Sequence, residues 1–299
     1  MRMRIILVLA VGVVAAACGD DAPSAADRGD CPVDPVRVVV TVDQWGDTVE
    51  RLGGDCAEVT TIITGSSADP HDYEPSPADV AAFEDAQLVV RNGLGYDGWA
   101  NRAIATLDRR PVVVDAGNVA DRSDGDNPHV WYSPEVVRNV AGAVTSQLAR
   151  LAPGATDVVE RLHAEWVDQL APYDAEIAAV AQLAAGKSYA ATEPVFDGMA
   201  AAVGLTDATP PGYRDAALNE SDPAPGDIAA FERAVERGEV DVLIDNTQTE
   251  GPTPSRLRDA AEHAGVPVVE VSETLPPGVG SFVEWQVDQL SALRTALGG

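Results

Sequence analysis

Short apolar runs alternate along the chain with longer stretches whose apolar positions recur every three or four residues. Arg37-Val38-Val39-Val40-Thr41-Val42 reads as a buried strand, and 45–52 as a helix. A strand at 59–64, a helix at 77–85, a strand at 87–92, a helix at 96–107 and a strand at 111–115 continue the alternation. Ser133 can cap a helix with Pro134 at its first position, and that pattern runs to Leu151 before Pro153-Gly154 breaks it. It resumes over 155–185, a span of roughly 45 Å at 1.5 Å per residue, in which Pro172 should kink the helix or end it early. The strand–helix alternation then restarts: strand 187–192, helices 195–203 and 225–237, strand 240–245, helix 254–264, strand 267–271 and a closing helix 282–297. Strands separated by helices imply parallel sheets with right-handed crossovers. The expected class is α/β, with two parallel-sheet lobes at 36–152 and 186–299 joined by a long, rigid linker helix at 153–185.

The first residues do not fit that scheme. Arg2 and Arg4 precede an apolar run from Ile5 to Ala17, too short to span a bilayer, which takes about 20 residues. Ala15, Ala16 and Ala17 stand directly before Cys18, a junction that resembles a bacterial lipobox. Residues 1–17 are therefore expected to be a signal peptide. Cys18 becomes the lipidated N-terminus on the outer face of the cell membrane, and 18–35 a flexible tether, its residues 19–30 polar and small. Two cysteines remain, Cys31 and Cys56, each just before a strand-like run. An oxidising location favours a disulfide between them, and parallel neighbouring strands would bring their starts side by side. The formal net charge of -28 opposes contact with a phosphate backbone, which excludes nucleic acid as a partner.

The chain has four histidines, and two of them, His71 and His129, sit in Pro-His dipeptides within turn-rich loops after candidate strands. Ligands of parallel α/β domains bind beyond the carboxyl ends of strands, and imidazole is the commonest nitrogen ligand for zinc and its neighbours. His163 and His263 lie mid-helix without companions and read as surface or packing residues. Four segments carry a family likeness: Asp69-Pro70-His71-Asp72-Tyr73-Glu74-Pro75-Ser76-Pro77 running on to Asp79, Asn92-Gly93-Leu94-Gly95-Tyr96-Asp97-Gly98-Trp99, Asn127-Pro128-His129-Val130-Trp131, and 253–271. In these the chain resembles the cluster A-I metal-binding proteins of ABC importers, the zinc- and manganese-receptor group, from about residue 36 to the end.

The resemblance implies a metal site between the lobes with two ligands from each. His71 and His129 match the first two. The third, often His in the family, falls on Tyr189-Ala190-Ala191-Thr192-Glu193, and Glu193 resembles the glutamate of manganese-type members. The fourth, usually Asp, falls on Glu273 in Val271-Ser272-Glu273. Two imidazoles and two carboxylates neutralise a dication, and the carboxylates harden the site toward manganese without excluding zinc. The implied function is a monomeric extracytoplasmic lipoprotein that captures one Zn2+ or Mn2+ as transported ligand and delivers it to an ABC importer permease. A surface metal-dependent adhesin would share the site. A zinc hydrolase would need an open coordination position, and the sequence has neither a His-Glu-x-x-His motif nor a nucleophile elbow, so no enzyme is expected.

Overall fold

The computed structural model describes residues 30–65, 73–249 and 251–299. The signal segment, Cys18, tether residues 18–29 and His71 lie outside the described residues. The first half runs β1 (Val36–Val42), α1 (Asp43–Gly53), β2 (Ala57–Ile63), α2 (Pro77–Glu84), β3 (Leu88–Arg91), α3 (Gly98–Ala105), β4 (Val112–Asp115) and α4 (Ala116–Val119). All strand pairs are parallel, in the order β2-β1-β3-β4. Helices α5 (Pro134–Leu151), α6 (Thr156–Gln169) and α7 (Ala171–Ala184) follow. The second half runs β5 (Ser188–Ala191), α8 (Asp197–Val203), β6 (Thr206–Asp207), α9 (Pro211–Leu218), α10 (Pro225–Glu236), β7 (Val242–Asn246), α11 (Pro252–Ala264), β8 (Val268–Val271) and α12 (Phe282–Ala296). Its sheet is again parallel, in the order β6-β5-β7-β8. Among the described residues no helix is long and apolar enough to cross a membrane.

The inner strands β1, β3, β5 and β7 are buried on both faces, which is why such strands read as continuous apolar runs rather than alternating ones. Val38, Val40 and Val42 of β1 and Leu88, Val89 and Val90 of β3 are almost completely excluded from solvent. One apolar core extends from the first sheet through α5 and α7 to α12, and a smaller one fills the outer face of the second sheet around Phe231, Leu243 and Leu257.

The stretch expected as one linker helix is two helices of 14 residues each, divided at Leu170. Pro172 explains the division: it stands in the first turn of α7, where its missing N–H costs no hydrogen bond. Helix α6 packs on α1 and α5 of the first half, and α7 on α8 and α12 of the second. Three elements were not anticipated, the four-residue α4 among them. The strand β6 is only two residues long, and α9 begins at Pro211, a residue that reads as a breaker yet is suited to a first helical turn.

Two further contacts seal the halves against each other. The hydroxyl of Tyr132 lies 2.7 Å from both the Ser272 carbonyl and Gln289 Oε1, while its ring meets Phe196 and Trp285 edge to face. Asp47 accepts the Phe282 backbone N–H at 2.9 Å at the start of α12.

The register pairs Val36 with Ala57, which brings Cys31 and Cys56 together in a disulfide with Cα atoms 5.1 Å apart. The crosslink closes a loop of 25 residues and should stabilise the fold by about 3–4 kcal/mol through the entropy it removes from the unfolded chain. Thiol titration of oxidised, unfolded protein lacking residues 1–18 should find no free thiol, and reduction should lower the urea midpoint with little change in slope. Two reactive thiols before reduction, or an unchanged midpoint after it, would refute this.

Candidate metal centre

Both sheets direct the carboxyl ends of their strands at the same seam. In the second sheet Glu193 stands two residues beyond β5 and Glu273 two beyond β8, while β7, the strand between them, ends in Asn246. From the first half comes His129, in the loop between α4 and α5 and 6% exposed. His129 Nε2 lies 3.4 Å from Glu273 Oε2 and 3.9 Å from Glu193 Oε1. One ligating atom from each of the three falls within 4.8 Å of the others. Three of the four expected ligands therefore meet, from both halves of the chain.

Their orientations are fixed by neighbours. Asn127 Nδ2 donates to the Pro194 carbonyl at 2.6 Å, which turns its Oδ1 toward His129. That oxygen accepts the His129 backbone N–H at 3.0 Å and stands 2.7 Å from Nδ1. Nδ1 therefore carries a hydrogen, and Nε2 is the nitrogen presented to the carboxylates. Tyr96 donates to Glu273 Oε2 at 3.0 Å and itself accepts from Gln44 at 2.9 Å. Gln248 Oε1 accepts the backbone N–H groups of Glu273 and Thr274 at 2.7 and 2.9 Å, holding the chain that carries Glu273. The carboxylates open on a cleft of about 620 Å³ whose walls include Thr192, Tyr213, Gln248 and Thr249.

Motif residues beside the expected ligands build these supports. Ser76 and Asp79 form a reciprocal cap on α2, 3.2 Å from the Asp79 N–H to the Ser76 hydroxyl and 2.7 Å from the Ser76 N–H to the Asp79 carboxylate, with Pro77 in the first turn. Tyr73 adds a third bond to Asp79 at 2.7 Å. Burial alone would raise the Asp79 pKa; the bonds from Ser76 and Tyr73 outweigh it and lower the value. In the second segment Gly93, Leu94 and Gly95 all have positive φ. A Cβ on Gly93 would stand 2.5 Å from Asp115 Oδ1, so glycine is required there. The tight turn folds Asp97 back to accept the N–H groups of Asn92 and Gly93 at 2.7 and 2.9 Å, and Asn92 Nδ2 reaches the Pro128 carbonyl at 2.9 Å, just before His129.

The electrostatics follow from three largely buried acceptor groups set close together. Burial, then the charge of Glu273, raises the Glu193 pKa. Burial alone would lower that of His129; the hydrogen bond and charge of Glu273, with Glu193 behind it, reverse the direction. Burial and the charge of Glu273 push the Tyr96 phenol far up, so it stays a donor. An arrangement in which an imidazole nitrogen and two carboxylate oxygens lie within 4.8 Å of one another could hold a metal ion.

The model of the family described as ZnuA, zinc-uptake complex component A periplasmic, matches residues 38–296. The chain belongs to this family. Relatives include the manganese-binding lipoprotein MntA of Halalkalibacterium halodurans, 26% identical over 156 residues that cover 51% of this chain and 50% of that protein. The high-affinity zinc uptake system protein ZnuA of Bacillus subtilis is 26% identical over 218 residues, 67% of each chain. The chain thus spans about half the length of the first of these relatives and two thirds of the second. The periplasmic zinc binding protein TroA from Treponema pallidum superposes with a TM-score of 0.75 at 19% identity, over 89% of this chain and all of that one, which establishes the ZnuA-family fold.

The motifs and the family resemblance point to His129, Glu193 and Glu273 but not to Asn246 or Thr249, which touch the carboxylates from the end of β7 and the turn after it. A polar run directly after the buried strand in Asn246-Thr247-Gln248-Thr249 was the available signal. His163 and His263 stand elsewhere, the one 3.0 Å from the Thr145 hydroxyl and the other 2.6 Å from the Asp259 carbonyl on an exposed helix face.

Asp43 lies in the same seam. It accepts the Gly65 N–H at 2.6 Å and the backbone N–H of Leu275 across the halves. Burial raises its pKa from 3.8 to about 6 despite those bonds. A carboxyl whose pKa is raised on folding stabilises the protein below its unfolded value and loses that contribution as pH climbs through the folded one. The loss falls between about pH 4 and pH 6 and amounts to roughly 2–3 kcal/mol. Asp43→Asn should lack it. Urea unfolding of the metal-free proteins should show the variant gaining on wild type by that amount between pH 4 and pH 7; parallel pH profiles would count against it.

Proposed function

We propose that this chain is an extracytoplasmic receptor that captures one divalent transition metal ion, Zn2+ or Mn2+, and passes it to the permease of an ABC importer. The observation that carries the reading is the convergence of His129 Nε2 on Glu193 Oε1 and Glu273 Oε2 at 3.9 and 3.4 Å across the seam. His71, five residues before Ser76 in the sequence, supplies the fourth ligand in this reading. Two carboxylates cancel the charge of a dication, and two imidazoles add nitrogen donors. Capture then needs no chemistry on the ion, only a site that is dry, shaped and reachable through the cleft, and the protein acts as a receptor rather than an enzyme. Residues 36–152 and 186–299 serve as the two lobes, and the acidic surface keeps the exported protein soluble.

Protein purified without added metal should carry close to one equivalent of zinc or manganese by elemental analysis. His129→Ala, Glu193→Gln and Glu273→Gln should each weaken binding at least tenfold, about 1.4 kcal/mol, in a chelator competition. Affinities equal to wild type in all three would mean that the ion binds elsewhere. A metal-dependent hydrolytic activity would instead favour an enzyme.

The anchor in this reading is the acylated Cys18. Cys18→Ser should move the protein from the detergent phase to the aqueous phase on partitioning, with metal affinity unchanged. A variant that stays with the membrane would refute the anchor.

A further inference from the structure

Asn246 occupies a place that only the middle strand of three can provide. The register pairs Ala191 of β5 with Ile244 of β7 and Asn246 with Val271 of β8, so the Asn246 side chain emerges between the segments leading to Glu193 and Glu273. Its Nδ2 lies 2.7 Å from Glu193 Oε2, 2.9 Å from Glu273 Oε1 and 2.9 Å from Thr249 Oγ1. Asn246 Oδ1 accepts the Gln248 N–H at 3.2 Å, so the amide nitrogen is the atom that faces the carboxylates. Thr249 donates a second hydrogen bond to Glu193 Oε2. The amide therefore engages one oxygen of each glutamate. The other oxygens, Glu193 Oε1 and Glu273 Oε2, are those turned toward His129 Nε2.

We propose that Asn246 is a specificity-determining positioning residue: by holding one oxygen of each glutamate, it limits both to a single donor oxygen and so favours zinc over manganese. The inference rests on the receptor reading above. Two imidazoles and two one-oxygen carboxylates make a set of four, the number zinc takes in closed sites. Manganese is served best by six donors rich in oxygen, a number this residue set reaches only if both carboxylates chelate through both oxygens. A carboxylate whose second oxygen is tied to a fixed amide must break that bond to chelate. The carboxylates alone harden the site toward manganese; the amide between them acts in the opposite direction.

The test uses the soluble mature protein as wild type, Asn246→Ala and Asn246→Ser, each loaded separately with Zn2+ and Mn2+. Affinities come from chelator competition and the number of neighbours around the bound ion from X-ray absorption. Wild type should hold zinc with four light neighbours. Asn246→Ala should lower the zinc-to-manganese affinity ratio at least tenfold and raise the neighbour count of the bound ion above four. Asn246→Ser, whose hydroxyl can hold one carboxylate but not both, should give an intermediate ratio. If the alanine variant does not fold, the serine variant and the wild-type neighbour count decide alone. Six neighbours around zinc in wild type, or an unchanged ratio in a folded variant, would overturn the inference while leaving the receptor reading intact. Wild-type protein that binds neither ion would overturn both.

Discussion

Two carboxylates, Glu193 and Glu273, share a seam from which water is largely excluded, and the surrounding structure is organised by what that requires. Like charges at close range in a medium of low dielectric repel strongly, and each also loses its hydration. The raised pKa of Glu193 is the direct sign of that cost. Three segments that end at the seam contribute donors against it: Asn246 from β7, Thr249 from the turn after it, and Tyr96 from the turn after β3. Tyr96 is itself held by Gln44, and the His129 imidazole, the remaining acceptor, by Asn127. A dication placed among the acceptors would complete the compensation that these donors begin.

Parallel topology makes such a gathering possible. In each sheet every strand points the same way, so all loops that follow strands open at one edge, and the two edges are set against each other. Adjacent strands β5, β7 and β8 then deliver Glu193, Asn246 and Glu273 in that spatial order, although β5 and β7 are separated in sequence by β6 and three helices. The Pro-rich and Gly-rich motifs of the first half serve the same end by local means. One caps α2, and the other bends the chain until Asp97 closes on Asn92, which in turn holds the loop of His129.

Much of this was legible in the chain. Strands buried on both faces leave unbroken Val and Ile runs, and helices such as α5 announce themselves by a Ser-Pro start, so sheets and major helices followed from pattern alone. His71 and His129 were legible because turn-rich loops after strands are where parallel sheets bind, whereas Glu193 and Glu273 followed only from the family resemblance. The misses have a different cause. The helix α9 begins with a proline that pattern reading treats as a stop. The role of Asn246 depends on which strands become neighbours, and that is decided by packing across the whole second sheet rather than by anything near residue 246.

The single-residue division at Leu170 has a mechanical consequence. Each flanking helix is fastened to a different half, and Leu170 itself is fully buried, so the joint has no slack. A 14-residue helix is a lever of roughly 21 Å, and a bend of only one degree at its root swings the tip by about 0.4 Å. That is about twice the roughly 0.2 Å within which metal–ligand distances match their expected values. With the proposed ligands divided between the halves, a flexure too small to register as an opening of the molecule would already disturb an ion's coordination distances. In the receptor reading proposed above, unloading would then take only a modest torque from a partner, the way a stiff clip releases with slight twisting and no visible gape.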